Sequence, residues 1–146
     1  MLRRYAQAMA FPINTYRPGM TNVFVDGEGH VCAAANLIAR DGHRDLVDVT
    51  ASQDNFVRLV EVQGGPLLEW MLRSGFTQEE IGRIQEPYAF IEPEEPSYQR
   101  ELEDEKRRVR GVLLGVARQL ELETDASLEL ATDRLLAHLA MTGARS

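Results

Sequence analysis

Cysteine is nearly absent from this chain of 146 residues: Cys32 stands alone, so no intramolecular disulfide can support the fold. Lysine is as scarce, Lys106 being one against fifteen arginines, a bias of the kind that a GC-rich bacterial genome produces. Long apolar runs are missing as well. Nothing approaches the ~20 residues that a membrane-crossing helix needs, and Met1-Leu2-Arg3-Arg4 is followed by no hydrophobic stretch of the secretory kind. These absences predict a soluble, cytoplasmic protein with no membrane partner. An excess of positive charge is lacking too. The formal charge is −7, and residues 1–86 carry 8 basic and 11 acidic side chains against 8 and 12 in 87–146. Neither part offers the basic footprint of a nucleic-acid binder, so nucleic acid is excluded as a partner.

What is present is core material. Apolar residues make up 44% of the chain, enough for one compact domain that buries roughly 70% of its unfolded surface. Leu2, Tyr5 and Met9 share a helical spacing that ends at Phe11-Pro12. Asn22–Val25 reads as a strand, Asp26–Gly29 as a tight reversal and His30–Val31 as a short return, giving a β-hairpin near 22–31. Cys32–Arg40 is apolar nearly all round, as a buried helix would be, and Gly42 stops it. A weaker helix covers 44–52, and 56–62 is undecided between helix and strand.

The sharpest local signals lie between 64 and 87. Pro66 suits the first position of a helix that stops at Gly75. Thr77-Gln78-Glu79-Glu80 spells a capping box, with Phe76 and Ile81 placed as a hydrophobic staple. Ser74–Ile84 resembles the opening of a helix-turn-helix motif. However, Glu86-Pro87-Tyr88-Ala89-Phe90-Ile91-Glu92-Pro93 cannot form a base-reading recognition helix. Capping chemistry accounts for the likeness.

Residues 87–96 hold three prolines and three glutamates and read as a linker. Beyond it the pattern predicts two helices, about 97–122 and 126–141, broken at Glu123-Thr124-Asp125 with Thr124 or Asp125 as cap. The expected fold is therefore α+β and mainly α. It comprises a multi-helix body over 1–92 with one short β-hairpin, and a C-terminal antiparallel helical hairpin over 93–146, packed on that body or on a second subunit. Within the first of these helices, Glu103–Arg107 and Asp104–Arg108 are spaced as acid-first ion pairs.

Chemistry-bearing residues cluster only around Cys32. A thiol at a helix start, with His30 as base and Asn36 as orienting group, outlines a thiol-dependent enzyme or redox sensor. The favoured interpretation is that Cys32 is a small buried hydrophobe at the start of a core helix, with the thiol chemistry as the alternative. His30, Cys32 and His43, with Asp26 or Asp45, form only a loose metal set, short of the closely paired ligands of a zinc site, and Asp26–Gly29 lacks the ligand run of a calcium loop. No cofactor motif is present. The stripe Val109, Val112, Leu113, Val116, Leu120, Leu128, Leu135 and Leu139 instead needs a cover. The favoured expectation is thus a non-catalytic protein–protein interaction or assembly module, self-associating as a homo-oligomer. An acidic, immunity- or antitoxin-type binding partner is a further alternative.

Overall fold

The computed structural model describes residues 1–143, so 144–146 of the expected C-terminal segment lie outside the described residues. Six α-helices and two very short strands follow one another: α1 (Leu2–Ala8), β1 (Met20–Thr21), α2 (Ala33–Arg40), α3 (Arg44–Gln53), α4 (Gly65–Arg73), α5 (Gln78–Ile84), β2 (Tyr88–Ala89) and α6 (Tyr98–Gly143). The fold is α+β and mainly α. No helix among the described residues is long and apolar enough to cross a membrane.

Several boundaries follow directly from local chemistry. α2 is capped at its start by Cys32, buries Ala33, Ala34, Ala35, Leu37 and Ile38, and ends before Gly42, whose φ of +91° suits glycine. Pro66 occupies the first turn of α4. The capping box at α5 is complete. The Glu80 amide donates to Thr77 Oγ1 at 3.2 Å, and the Thr77 amide donates to Glu80 Oε2 at 2.8 Å. The undecided stretch 56–62 contains a single 3-10 turn, Leu59–Glu61. Gln78 and Gln85, at the two ends of α5, clamp it. Gln78 Nε2 donates to the carbonyls of Leu59 and Val62, Gln85 Nε2 donates to that of Val57, and Gln85 Oε1 accepts from the Leu59 amide.

The expected β-hairpin is corrected. Only one bridge, Val25 with Val31, joins the two arms. The two-stranded sheet is instead antiparallel β1–β2, Met20 opposite Ala89 and Thr21 opposite Tyr88. The backbone at 24–25 is shared: Phe24 O accepts the Cys32 amide of the return arm at 2.9 Å, and the other groups turn to Asn55. The Phe24 amide donates to Asn55 O, while the Asn55 side chain exchanges two hydrogen bonds with Val25. Asp26 Oδ1 meanwhile accepts the amides of Glu28 and His30, so the carboxylate holds the reversal together with the Asp26 amide's bond to His30 O.

The expected C-terminal helical hairpin is also corrected. α6 is one continuous helix of 46 residues, about 69 Å long at 1.5 Å per residue. Glu123-Thr124-Asp125 offers cap-type side chains but neither Gly nor Pro to stop the helix. Thr124 Oγ1 donates back to Leu120 O at 2.9 Å and stays inside it. The proximal part packs in cis, since α6 contacts α1, α4, α5 and β2.

The charge pairs on α6 shift register too. Arg107 bonds Asp104 at 2.5 Å and meets Glu103 only through its backbone carbonyl. Arg108 turns inward to Glu105 (2.8 Å), Glu86 (2.7 Å) and the Pro87 carbonyl. Burial alone would raise the Glu105 carboxyl. The Arg108 hydrogen bond, the Ala89 amide and the Arg108 charge outweigh it and hold Glu105 below the usual carboxylate range. A carboxyl depressed on folding adds stability that is present above its unfolded pKa of about 4.3 and is lost as pH falls through the folded value. The deficit of Glu105→Gln relative to wild type should therefore shrink as denaturant melts move from about pH 6 to about pH 3. A deficit that stays constant over that range would contradict the pairing.

Gly82 marks a close approach of α5 to the 3-10 turn, since a Cβ there would lie 2.1 Å from Val60 Cγ1. Alanine gains about 1 kcal/mol over glycine inside a helix, and overpacking costs about 1–3 kcal/mol. Gly82→Ala should thus fail to stabilise wild type but add about 1 kcal/mol in a Val60→Ala background, as measured by urea unfolding.

Candidate functional site

Cys32 sits one residue before α2 and is 1% exposed. Its Sγ accepts the Ala35 amide at 3.4 Å, acting as a helix cap. Burial pushes the thiol up to about 12, outweighing the backbone amides that favour a thiolate. Tyr5 and Tyr88 are buried with it, and burial raises both phenols as well. Tyr5 donates to the Val31 carbonyl at 2.6 Å, binding α1 to this corner.

His30 turns to the carboxylates of its own loop. Its Nδ1 lies 3.1 Å from Asp26 Oδ2 and 3.7 Å from Glu28 Oε2. Asp26 is a buried loop organiser, because the same Oδ2 also accepts the Ile13 amide at 3.1 Å. Asn36 Oδ1 accepts from Arg40 on the surface of α2, so it orients no partner of Cys32. His43 stands beside Asp41 at 3.9 Å, and Asp41 accepts the Trp70 indole N–H at 2.9 Å. His30, Cys32 and His43 are thus divided among separate local networks. Among the described residues no group of three or more His, Cys, Asp or Glu is placed to hold a metal ion.

The apolar stripe of α6 divides into two unlike parts. Val109, Leu113 and Val116 are buried in the chain's own core, with Val112 and Leu120 packed against it. Farther along, Leu128 is 48% and Leu139 46% exposed, and Leu135 is half-buried. Leu122, Leu130, Leu136 and Met141 add exposed apolar surface to the same distal part. That part rests on α4 through Ala131 and flanks a cleft of about 470 Å³, whose wall includes Leu68, Met71, Leu72 and Phe76.

One side chain at the base of this distal part escaped the sequence reading. Glu80 is 2% exposed, and its Oε1 accepts the hydroxyl of Ser127 from α6. The capping box identifies Glu80 as a local helix signal. Nothing in the spacing reveals that its second oxygen fastens another helix. Ser127 falls in the first turn of the second predicted helix, and nothing in the apolar pattern sets that turn against α5.

Native Cys32 should resist iodoacetamide at pH 7 and react only after denaturation, as mass spectrometry would record. Rapid modification of the folded protein would show an open thiol instead. No family model, no characterised protein and no solved structure gives a significant match to this chain.

Proposed function

We propose that this chain is a protein–protein interaction module without catalytic activity, two copies of which assemble through the distal half of α6. The observation that carries this reading is the exposed apolar surface around Leu128, Leu135 and Leu139. Their spacing of seven and then four residues puts them on one face of a helix. The same helix buries Val109, Leu113, Val116 and Ala117 in its proximal part, so the distal exposure is not a general looseness of packing. Contiguous apolar patches on monomeric proteins mark sites of association.

A second copy fits this surface because it presents the same apolar face, and in a two-fold contact residue i meets j while j meets i. The buried corner at Cys32 provides no comparable support for thiol chemistry.

Light scattering after gel filtration tests the assembly. The wild-type chain of 16.4 kDa should elute at twice that mass at micromolar concentration. Each buried leucine contributes about 1.5–3 kcal/mol, so Leu135→Glu with Leu139→Glu should weaken self-association by at least about 100-fold. The double variant should keep its helical circular dichroism. A wild-type monomer throughout the micromolar range would overturn the proposal.

A further inference from the structure

A second cleft, of about 500 Å³, lies between the loop entering β1, the 3-10 turn and the exit of α5. Among the described residues that line it, the charged ones are Arg17 and Arg58, and none is a carboxylate. This local sign opposes the chain as a whole, in which 23 acidic residues outnumber 16 basic ones.

The arginines are presented in a way that leaves donors available. The Arg17 guanidinium lies 3.8 Å over the Phe56 ring, and Tyr16 meets the same ring edge-on at 5.7 Å. Stacking occupies the flat face of a guanidinium and leaves the N–H fork at its edge. Arg58 engages Glu61 through Nη1, and no bond from its Nε or Nη2 occurs among the described residues.

The backbone beneath each arginine is fixed by a buried amide. Asn14, 0% exposed, accepts the Tyr16 and Arg17 amides and donates to the Arg17, Gly19 and Tyr88 carbonyls. Gln85 grips Val57 and Leu59 on either side of Arg58. Supporting amides of this kind preorganise a recognition site. Asn22, on the same wall, has a buried Oδ1 that meets no donor among the described residues.

We propose that this cleft binds a small molecule bearing an oxyanion, a carboxylate or a phosphate, together with a hydrogen-bond donor. Arg17 supplies the fork and Arg58 the second positive charge. The ligand's N–H or O–H satisfies Asn22 once that amide turns towards the cavity. This site is separate from the distal face of α6, and its test does not depend on assembly.

Nitrogen-15 correlation spectra of the full chain at constant ionic strength, titrated with inorganic phosphate or with citrate, provide the test. Saturable shifts at the amides of Arg17, Thr21, Asn22 and Arg58 are expected in at least one arm. The tighter arm identifies which oxyanion the cleft prefers. Arg17→Gln and Arg58→Gln, both at exposed positions, should each weaken binding about tenfold. Their own spectra report whether the fold is kept. Arg118→Gln, on the surface of α6, should leave affinity unchanged. Absence of saturable shifts in both arms would overturn the proposal. Equal weakening by Arg118→Gln would do so too, because it would mean diffuse attraction to positive charge.

Discussion

Burial of the proximal face of α6 is the constraint on which the other elements rest. Helices average about 10–14 residues, and most of their stability in proteins comes from packing of an apolar face rather than from propensity. Val109, Leu113, Val116 and Ala117 provide that face here. They belong to one core with Leu2, Tyr5 and Ala6 of α1, the small residues of α2, and Trp70 and Met71 of α4. Burying a valine or leucine contributes about 1.5–3 kcal/mol, so the face anchors the rod along the body. Arg3 and Glu121 then meet through two hydrogen bonds of 2.8 Å at the edge of α1. Being exposed, that pair fixes alignment more than it adds stability.

A second kind of organisation runs through neutral amides. Asn14, Asn55, Gln78 and Gln85 each pair with main-chain groups of the loops, the 3-10 turn or the two-residue strand β2. Backbone polar groups withdrawn from water need partners, and a chain with so little sheet must find them in side chains. The result is a set of short connecting segments whose backbone groups are held by side-chain amides. Charged groups do similar work at two places, Asp26 in its tight reversal and Arg108 where α6 meets the connector.

Legibility in the sequence followed the range of the interaction. The start of α5, the stops at Gly42 and Gly75, and the burial of α2 depend on neighbours within a turn or two, and all were readable. The β1–β2 pairing joins residues far apart in the chain, and two-residue strands leave no alternation to detect. The amide clamps are invisible for the same reason, since Asn and Gln read as ordinary surface or turn residues. The interruption expected near Thr124 failed because a residue type that favours caps also tolerates a helix interior when its hydroxyl bonds the preceding turn. Of the candidate sites, Cys32 was legible as packing material at the start of a core helix, and the residue is 1% exposed. The arginine cleft gave no signal, because its two cations, Arg17 and Arg58, come from loops far apart in the chain.

The unbroken course of α6 makes its far end sensitive to length in a way that no loop of this protein is. Each residue advances a helix by 1.5 Å and turns it by 100°. Adding or deleting one residue between Ala117 and Ala131 would leave the proximal anchor in place. It would also swing Leu128, Leu135 and Leu139 about a quarter-turn around the axis or pull Ala131 off α4. The loops on either side of β1 can absorb such changes locally. The rod cannot, so the direction in which its outer leucines point is indexed by residue count from the core.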